Sequence, residues 1–398
     1  MSMIVFLVVC ALVVVFQPAH ISCQTLVGHT QRLITHFSKS YNKIIPPRED
    51  GGGAVKVKLE MFPMSIQEFD EASEKFVYPA GLRMIWYDYR LRWTPSEFAG
   101  IEEVTIPVTE VWTPGIILAS AATKEMSVLQ PWNHVRVSHN GEVYVMQAML
   151  VQSSCSVNVR YFPFDYQSCD TLFMSLLYND NEVEIQKKDT GLSLNLYTEN
   201  AIWDIVSTDV FSELIRYANE YQIHFKFHLK RKSQYVTINL LVPILCLSLL
   251  NTLVFLLVPE SGERVGYCIT TLLAIAVYMT IIMDTLPQSS TPVPLISYKL
   301  VGDLVCSAFI IVCVIINLRI HGQADDKPVP TWLKAVHRFL TCNICKRKSD
   351  ATNNTPPTWK DISHLIDVLC FCVFFSVAIL SFTIFVGNAK SQTSSLDI

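Results

Sequence analysis

The sequence predicts an extracellular antiparallel β-sandwich, immunoglobulin-like in type and preceded by an N-terminal helix, joined to a bundle of four membrane-spanning helices. Three observations predict it. Apolar runs long enough to cross a bilayer fall only at residues 235–258, 265–286, 297–320 and 362–386, apart from a shorter one at the N-terminus. Residues 55–231 instead alternate with a period of two between turn residues. The 398-residue chain is 51% hydrophobic and 17% charged, with a mean hydropathy of +0.32, too apolar for an ordinary soluble protein. A net charge of −4 argues against a nucleic-acid partner.

Residues 1–23 read as a signal peptide, because Met3 to Phe16 is an apolar core followed by polar and small residues up to Cys23. No Lys or Arg precedes that core, so an uncleaved anchor is the alternative. Cleavage places residues 24–233 outside the cell and removes Cys10 and Cys23 from the twelve cysteines. Next, Leu26, Leu33, Ile34, Phe37 and Tyr41 recur at helical spacing, and Pro46-Pro47 with Gly51-Gly52-Gly53 ends that helix. In Arg83–Trp93, the residues Ile85, Tyr87, Tyr89, Leu91 and Trp93 share one face of a strand. Phe225, Phe227 and Leu229 alternate with Lys226, His228 and Lys230 in the last strand.

Cys155 and Cys169 are the cysteines that remain in this domain, and an extracellular setting predicts a disulfide between them. Closing that loop contributes about 3 kcal/mol through the entropy of the unfolded chain. Its centre, Tyr161-Phe162-Pro163-Phe164-Asp165, is too aromatic for a tip in water and predicts docking on an apolar surface such as that of the membrane domain.

Around the loop 321–360, Arg319, Lys327, Lys334, Arg338, Lys346, Arg347, Lys348 and Lys360 outweigh Asp325, Asp326 and Asp350, which marks the loop as cytoplasmic. With spans one to three in 234–320 and the fourth in 361–387, both the N-terminal domain and the tail 388–398 lie outside. Trp332, Leu333, Val336, Phe339 and Leu340 predict an amphipathic helix over 331–341. Cys342 and Cys345 lack the further ligands of a zinc site, so reduced or acylated thiols are the reading, and neither metal nor cofactor is expected. No P-loop, nucleophile elbow or HExxH appears, so no enzyme is expected.

Glu263 to Leu286 differs from a plain anchor. As a helix it spans roughly 36 Å. Steps of three or four place Glu263, Gly266, Thr270, Leu273, Val277, Thr280 and Asp284 on one face. Several copies of such a face around an axis line a pore; an ordinary span with chance threonines is the alternative. The topology puts Glu263 at the cytoplasmic mouth and Asp284 at the outer one, where carboxylate rings attract cations. Leu273 and Val277 form a hydrophobic constriction that stops current by dewetting.

Two cysteines with thirteen residues between them, around Phe162-Pro163-Phe164-Asp165, resemble the signature of the Cys-loop receptors, the pentameric ligand-gated ion channels. Leu91-Arg92-Trp93-Thr94-Pro95-Ser96-Glu97, Val111-Trp112-Thr113-Pro114, Asn239-Leu240-Leu241-Val242-Pro243, Ser261-Gly262-Glu263-Arg264 and Val293-Pro294-Leu295-Ile296 are similar to nicotinic acetylcholine receptor subunits. The resemblance covers nearly the whole mature chain. It implies a homo- or hetero-pentamer of identical or homologous subunits in the plasma membrane. The second span lines the pore, membrane lipid surrounds the helices, cations permeate and a small extracellular ligand gates. A second reading is an accessory, non-conducting subunit that works only in hetero-pentamers. The resemblance also implies a gating junction in which Arg231 meets Glu71, with Asp70 beside it. Phe162, Pro163, Phe164 and Asp165 join them against the linker of Pro292 and Pro294.

The ligand site carries over poorly. In nicotinic subunits a box of aromatic rings holds a quaternary ammonium. Here Gly81 replaces the Trp of the complementary strand, Ala119 a Tyr, Gly115 the Asp of the Trp-x-Pro-Asp run, and Leu176 the Trp after the second cysteine. Phe211 to His224 contains no vicinal cysteines. Tyr178, Tyr217 and Tyr221 remain, so acetylcholine is not the expected agonist. Arg83 shares a strand side with Gly81 and offers a positive handle for an anionic or zwitterionic ligand with an apolar body; a solvated Arg is the alternative.

Overall fold

Strand alternation organises residues 55–231, and apolar helices organise the chain that follows. The computed structural model describes residues 27–48, 52–124, 126–284, 292–323, 328–335, 337 and 358–391. The chain divides into two compact units: residues 1–70, 74–156 and 167–229 form the first, and residues 71–73, 157–166 and 230–398 the second.

In the first unit, helix α1 (residues 27–40) precedes eleven strands. These are β1 (Val55–Pro63), β2 (Glu68–Asp70), β3 (Lys75–Tyr87), β4 (Glu103–Pro107), β5 (Ile116–Leu118), β6 (His134–Ser138), β7 (Glu142–Ser154), β8 (Tyr166–Ser175), β9 (Val183–Leu192), β10 (Trp203–Ile215) and β11 (Glu220–Arg231). One sheet runs β4-β6-β7-β3-β1-β9 with β2 on β3, and the other runs β10-β11-β8-β5. Their inward residues interleave: Trp86, Tyr78 and Val145 from the first meet Phe173, Phe225 and Phe227 from the second, all buried. Phe225, Phe227 and Leu229 point inward as their alternation predicts. Leu33 and Phe37 of α1 join this core, with Phe37 edge-on to Trp93 at 5.7 Å. The Cys155–Cys169 disulfide ties the end of β7 to β8 and is buried.

Two details differ from the sequence reading. The sandwich is not wholly antiparallel, because β9 pairs with β1 in parallel, Val55 opposite Val183. β8 belongs to the second sheet, so the chain crosses over before β9 enters the first beside β1. Nor does one strand run from Arg83 to Trp93. β3 stops at Tyr87, where the buried carboxylate of Asp88 accepts from the backbone N–H and guanidinium of Arg90 and winds Tyr89–Leu91 into a 3-10 turn. The buried face of β3 is therefore that of Leu82, Met84 and Trp86, and Ile85 and Tyr87 lie on the other side, half-buried.

The second unit contains α2 (Gln234–Leu256), α3 (Arg264–Asp284), α4 (Leu295–His321) and α5 (Trp359–Ser391), each with an apolar stretch long enough to cross a membrane. α2 is irregular. A π turn at Thr237–Leu241 precedes Pro243, which has no N–H to give to the carbonyl of Asn239. The Tyr278 hydroxyl of α3 donates to that carbonyl at 2.9 Å and to Leu240 at 3.2 Å. At the start of α5, Thr358 and Asp361 cap each other: the Asp361 carboxylate accepts from the Thr358 N–H at 2.8 Å. One apolar cluster gathers Leu241, Ile282, Ile296, Leu300 and Phe385, and another gathers Val254, Phe255, Cys268, Ile310 and Val314. Residues 331–335 are helical, including exposed Trp332. The signal peptide, Leu286, Val336, Phe339, Leu340, Cys342 and Cys345 lie outside the described residues.

Candidate functional site

The helix α3 has two chemically distinct sides. Glu263, just ahead of it, and Gly266, Thr270, Leu273, Val277, Thr280 and Asp284 are all exposed in the single chain. Cys268, Thr271, Ile275 and Ile282 are buried against the neighbouring helices. The Thr270 and Thr280 hydroxyls donate to carbonyls three residues back, at 2.8 and 2.7 Å, which leaves their oxygens available as acceptors on the exposed side. A Cβ placed on Gly266 would meet nothing within 4 Å, so the space beside it is open.

Arg264 follows Glu263 directly but points the other way. It is 1% exposed. Its guanidinium donates to both oxygens of Asp367 on α5, at 2.9 and 2.8 Å, and its Nε to the Leu257 carbonyl at 2.8 Å. Asn317 of α4 adds a third donor to Asp367 at 2.7 Å. The positive charge at the foot of α3 is thus consumed inside the bundle, and the carboxylate of Glu263 is left outside. Sequence reasoning missed this pair. The signal was present: an ionised residue in an apolar span needs a partner, and Arg264 and Asp367 sit at matching ends of theirs. The same signal marks Lys299 and Asp303, one turn apart on α4, which form a buried ion pair that also accepts from Ser248 at 2.8 Å. That pair borders a cavity of about 370 Å³ between α2, α4 and α5.

At the other end of the second unit, Arg231 closes β11. Its Nε donates to Asp165 Oδ1 at 2.7 Å, and a terminal nitrogen reaches Asp165 Oδ2 at 3.1 Å and Glu71 Oε1 at 2.7 Å. Burial alone would lower the pKa of this guanidinium, but hydrogen bonds and charge from Asp165 and then Glu71 push it above its ordinary value. The guanidinium also stacks over Phe162 at 5.0 Å. Phe162 is buried with Leu241, Ile282, Ile296 and Phe385, and Phe164 packs beside it. A cis peptide joins Phe162 to Pro163. The Arg160 carbonyl accepts from the N–H of Leu295, the first residue of α4, directly after Pro294 and three beyond Pro292. Asp70 belongs to the first unit, where it pairs with Lys75.

The remaining candidates lie in the first unit. Arg83 donates to Glu60 at 2.9 Å, and Lys188 approaches the same carboxylate at 3.6 Å. Its guanidinium lies over Phe62 at 4.8 Å and Tyr144 at 5.7 Å. Next to it, Met146 fills the room beside Gly81, with Sδ 3.3 Å from where a Cβ would sit. Tyr178 is tied into the core: its hydroxyl accepts from Trp112 Nε1 at 2.8 Å, and the Trp112 N–H in turn donates to Tyr41, whose hydroxyl donates to Asp88 at 2.7 Å. Tyr221 packs against the core, whereas Tyr217 is 93% exposed near the β10–β11 turn and Leu176 is exposed after β8. Ala119 donates its N–H to Leu172.

Comparison with known proteins bears on the whole arrangement. Residues 30–233 match the neurotransmitter-gated ion-channel ligand binding domain, and residues 240–349 match the neurotransmitter-gated ion-channel transmembrane region. The chain belongs to the neurotransmitter-gated ion-channel family. Neuronal acetylcholine receptor subunit alpha-3 of Rattus norvegicus is 30% identical to it over 334 residues, covering 82% of this chain and 67% of that protein. The alpha-3 subunit of Mus musculus is 31% identical over the same 82% and 67%. The alpha-6 subunit of Homo sapiens is 30% identical over 311 residues, or 77% and 63% of the two chains. As a neurotransmitter-gated channel subunit the chain resides in the plasma membrane, with its ligand-binding domain outside and α2 to α5 crossing the bilayer. Membership implies assembly into a pentamer. The Leu256 end of α2, the start of α3, the His321 end of α4 and the start of α5 therefore lie on the cytoplasmic side.

Proposed function

We propose that this chain is a pore-forming subunit of a pentameric, cation-selective channel opened by an extracellular ligand other than acetylcholine, and that it has no enzymatic role. The withdrawal of Arg264 into its pair with Asp367 carries this reading. A free arginine one residue from Glu263 would offset each carboxylate of the ring and attract anions. With Arg264 neutralised inside the bundle, five copies of Glu263 leave an anionic cytoplasmic mouth, and Asp284 does the same outside. Leu273 and Val277, between them, supply the dewetting gate. Arg231, held by Asp165 and Glu71, is the element through which movement at the ligand site reaches α2 and the pore, with the Phe162–Asp165 segment and the Pro292–Pro294 linker. Asp70 assists from the adjoining strand.

The ligand reading rests on the aromatic poverty of the cleft. Gly81, Ala119 and Leu176 supply no ring, and Arg83 is partnered by Glu60. A ligand approaching Arg83 therefore meets a guanidinium–carboxylate pair, which suits a zwitterion better than a simple cation. The decisive experiment is expression in oocytes with a ligand screen and ion substitution. Current that reverses with the sodium gradient supports the proposal, and current that follows chloride overturns it. The same cleft favours a second reading, an accessory subunit that conducts only in hetero-pentamers. Surface pentamers that stay silent alone, yet alter the currents of a co-expressed relative, would establish that reading instead.

A further inference from the structure

Side-chain hydrogen bonds tie α3 to its own bundle at several levels. At the foot, Arg264 holds Asp367 and the Leu257 carbonyl. One turn further out, the Tyr267 hydroxyl donates to the Leu250 carbonyl of α2 at 2.7 Å. The Thr271 hydroxyl then donates to Asn251 Oδ1 of α2 at 3.1 Å, and the Tyr278 hydroxyl to the Asn239 carbonyl at 2.9 Å. Three of these ties are costly to release. Withdrawing Arg264 strands a buried charge. A tyrosine hydroxyl stands too far from its own backbone to find a second acceptor there, and within a bilayer no water replaces the first.

Thr271 is different. Its Oγ1 also lies 3.0 Å from the Cys268 carbonyl, one turn back on α3. A hydroxyl has one proton, so that hydrogen bond either links α3 to α2 or stays within α3. Asn251 is 3% exposed, and the buried Ser307 of α4 approaches the same Oδ1 at 3.5 Å. When Thr271 turns to Cys268, Ser307 remains as a donor to Asn251. Both arrangements leave the Thr271 donor and the Asn251 oxygen paired, which makes the exchange inexpensive where an orphaned polar group is not. Thr271 precedes Leu273 by two residues, about 200° around the helix. The tie therefore grips the buried side of α3, opposite the exposed Leu273.

We propose that Asn251 is a positioning residue for the gate. While its Oδ1 accepts from Thr271, α3 keeps the rotation that presents Leu273 to the pore axis, and the channel is closed. Handing that hydrogen bond to the Cys268 carbonyl frees this level of α3 to turn, and the channel opens. The ties of Tyr267 and Tyr278 on either side keep α3 seated on α2 throughout, so the turn is confined to the segment between them. This inference rests on the reading of Leu273 as the constriction.

The test uses the full-length chain carrying Leu273→Thr, whose current without ligand checks the constriction by itself. Thr271→Val removes the hydroxyl and keeps the shape, and Asn251→Leu removes the acceptor from the other side. Two variants from opposite sides guard against one failing to assemble. Each should raise the ligand-free open-to-closed ratio roughly threefold for every copy in the pentamer, the scale of one hydrogen bond between helices in a membrane. Thr271→Ser keeps the donor and should restore the parent ratio. The double variant should do no more than either single one, because both remove the same link. Single-channel open probability is the readout, with the melting temperature of the purified oligomer beside it. A lower melting temperature with an unchanged ratio would reduce Asn251 to a structural tie and overturn the inference. So would a fall in the ratio, or Thr271→Ser behaving like Thr271→Val. A silent Leu273→Thr background would sink the constriction and this inference together, whereas background current indifferent to Thr271→Val and Asn251→Leu sinks this inference alone.

Discussion

The hydroxyl of Tyr278 on the pore helix donates to the Asn239 carbonyl, the acceptor that Pro243 leaves unserved in the first span. A helix break that would otherwise expose a bare carbonyl in the bilayer becomes a link between two helices. Tyr278→Phe keeps the ring and removes the donor. Leaving that carbonyl unpaired should cost about 1–3 kcal/mol, visible as a lower melting temperature of the purified oligomer. An unchanged melting curve would show that the link is dispensable.

The Arg264–Asp367 pair makes a sharper case. Removing one partner strands a buried charge, so Asp367→Ala should cost about 3–5 kcal/mol and deplete the subunit from the cell surface. The double change Arg264→Met/Asp367→Leu leaves no stranded charge and should recover most of the surface level. Surface biotinylation of the three proteins reads this directly; a double variant no better than the single one would refute the argument.

Glu263→Ala removes the carboxylate at the cytoplasmic mouth without touching the buried face of α3. The sodium-to-chloride permeability ratio should fall by at least about threefold. Reversal potentials under dilution of external salt measure it, and an unaltered ratio would move the filter elsewhere.

Leu273→Thr should wet the constriction and shift the closed–open equilibrium by roughly tenfold, about 1.4 kcal/mol. Current in the absence of ligand is the expected outcome. If the variant stays closed, the gate lies at another level of α3.

Arg231→Gln keeps a hydrogen-bonding side chain but loses the charge that Asp165 and Glu71 share. In the Leu273→Thr background it strands the buried carboxylate of Asp165 and so lowers surface expression. In the channels that do reach the surface it should change the closed–open equilibrium by about 1–3 kcal/mol, the usual scale of coupling between sites. Open probability in single-channel records is the readout; no change would reduce Arg231 to a structural ion pair.

Much of this architecture was legible from periodicity and hydropathy. Phe225, Phe227 and Leu229 announce an inward strand face because every second residue shares a side. The exposed stripe from Glu263 to Asp284 follows from steps of three and four in the same way. Family resemblance added the junction of Arg231 with Glu71 and Asp165. Long-range partnerships escaped. Nothing local to Val55 or Val183 says that they run parallel, since that depends on the path of β8 through the other sheet. The end of β3 turned on the side chain of Asp88, whose competition for the Arg90 backbone N–H outweighs the alternation that continues past Tyr87. Arg264, next to a residue that faces outward, was left unassigned because its partner lies in a span a hundred residues away. In the cleft, the sequence showed which rings are missing but not that Glu60, on the adjacent strand, already occupies Arg83.

Asp367 also changes how the fourth span should be treated when subunits are recombined. The least buried of the four spans invites exchange between relatives as if it were a removable cladding. Here it carries half of an ion pair whose other half stands at the foot of the pore helix. A chimera that imports a fourth span without an acid at this position inherits an arginine with no counter-ion. Grafts into this chain will therefore succeed or fail by whether the acid of the fourth span and the arginine of the pore helix are kept together.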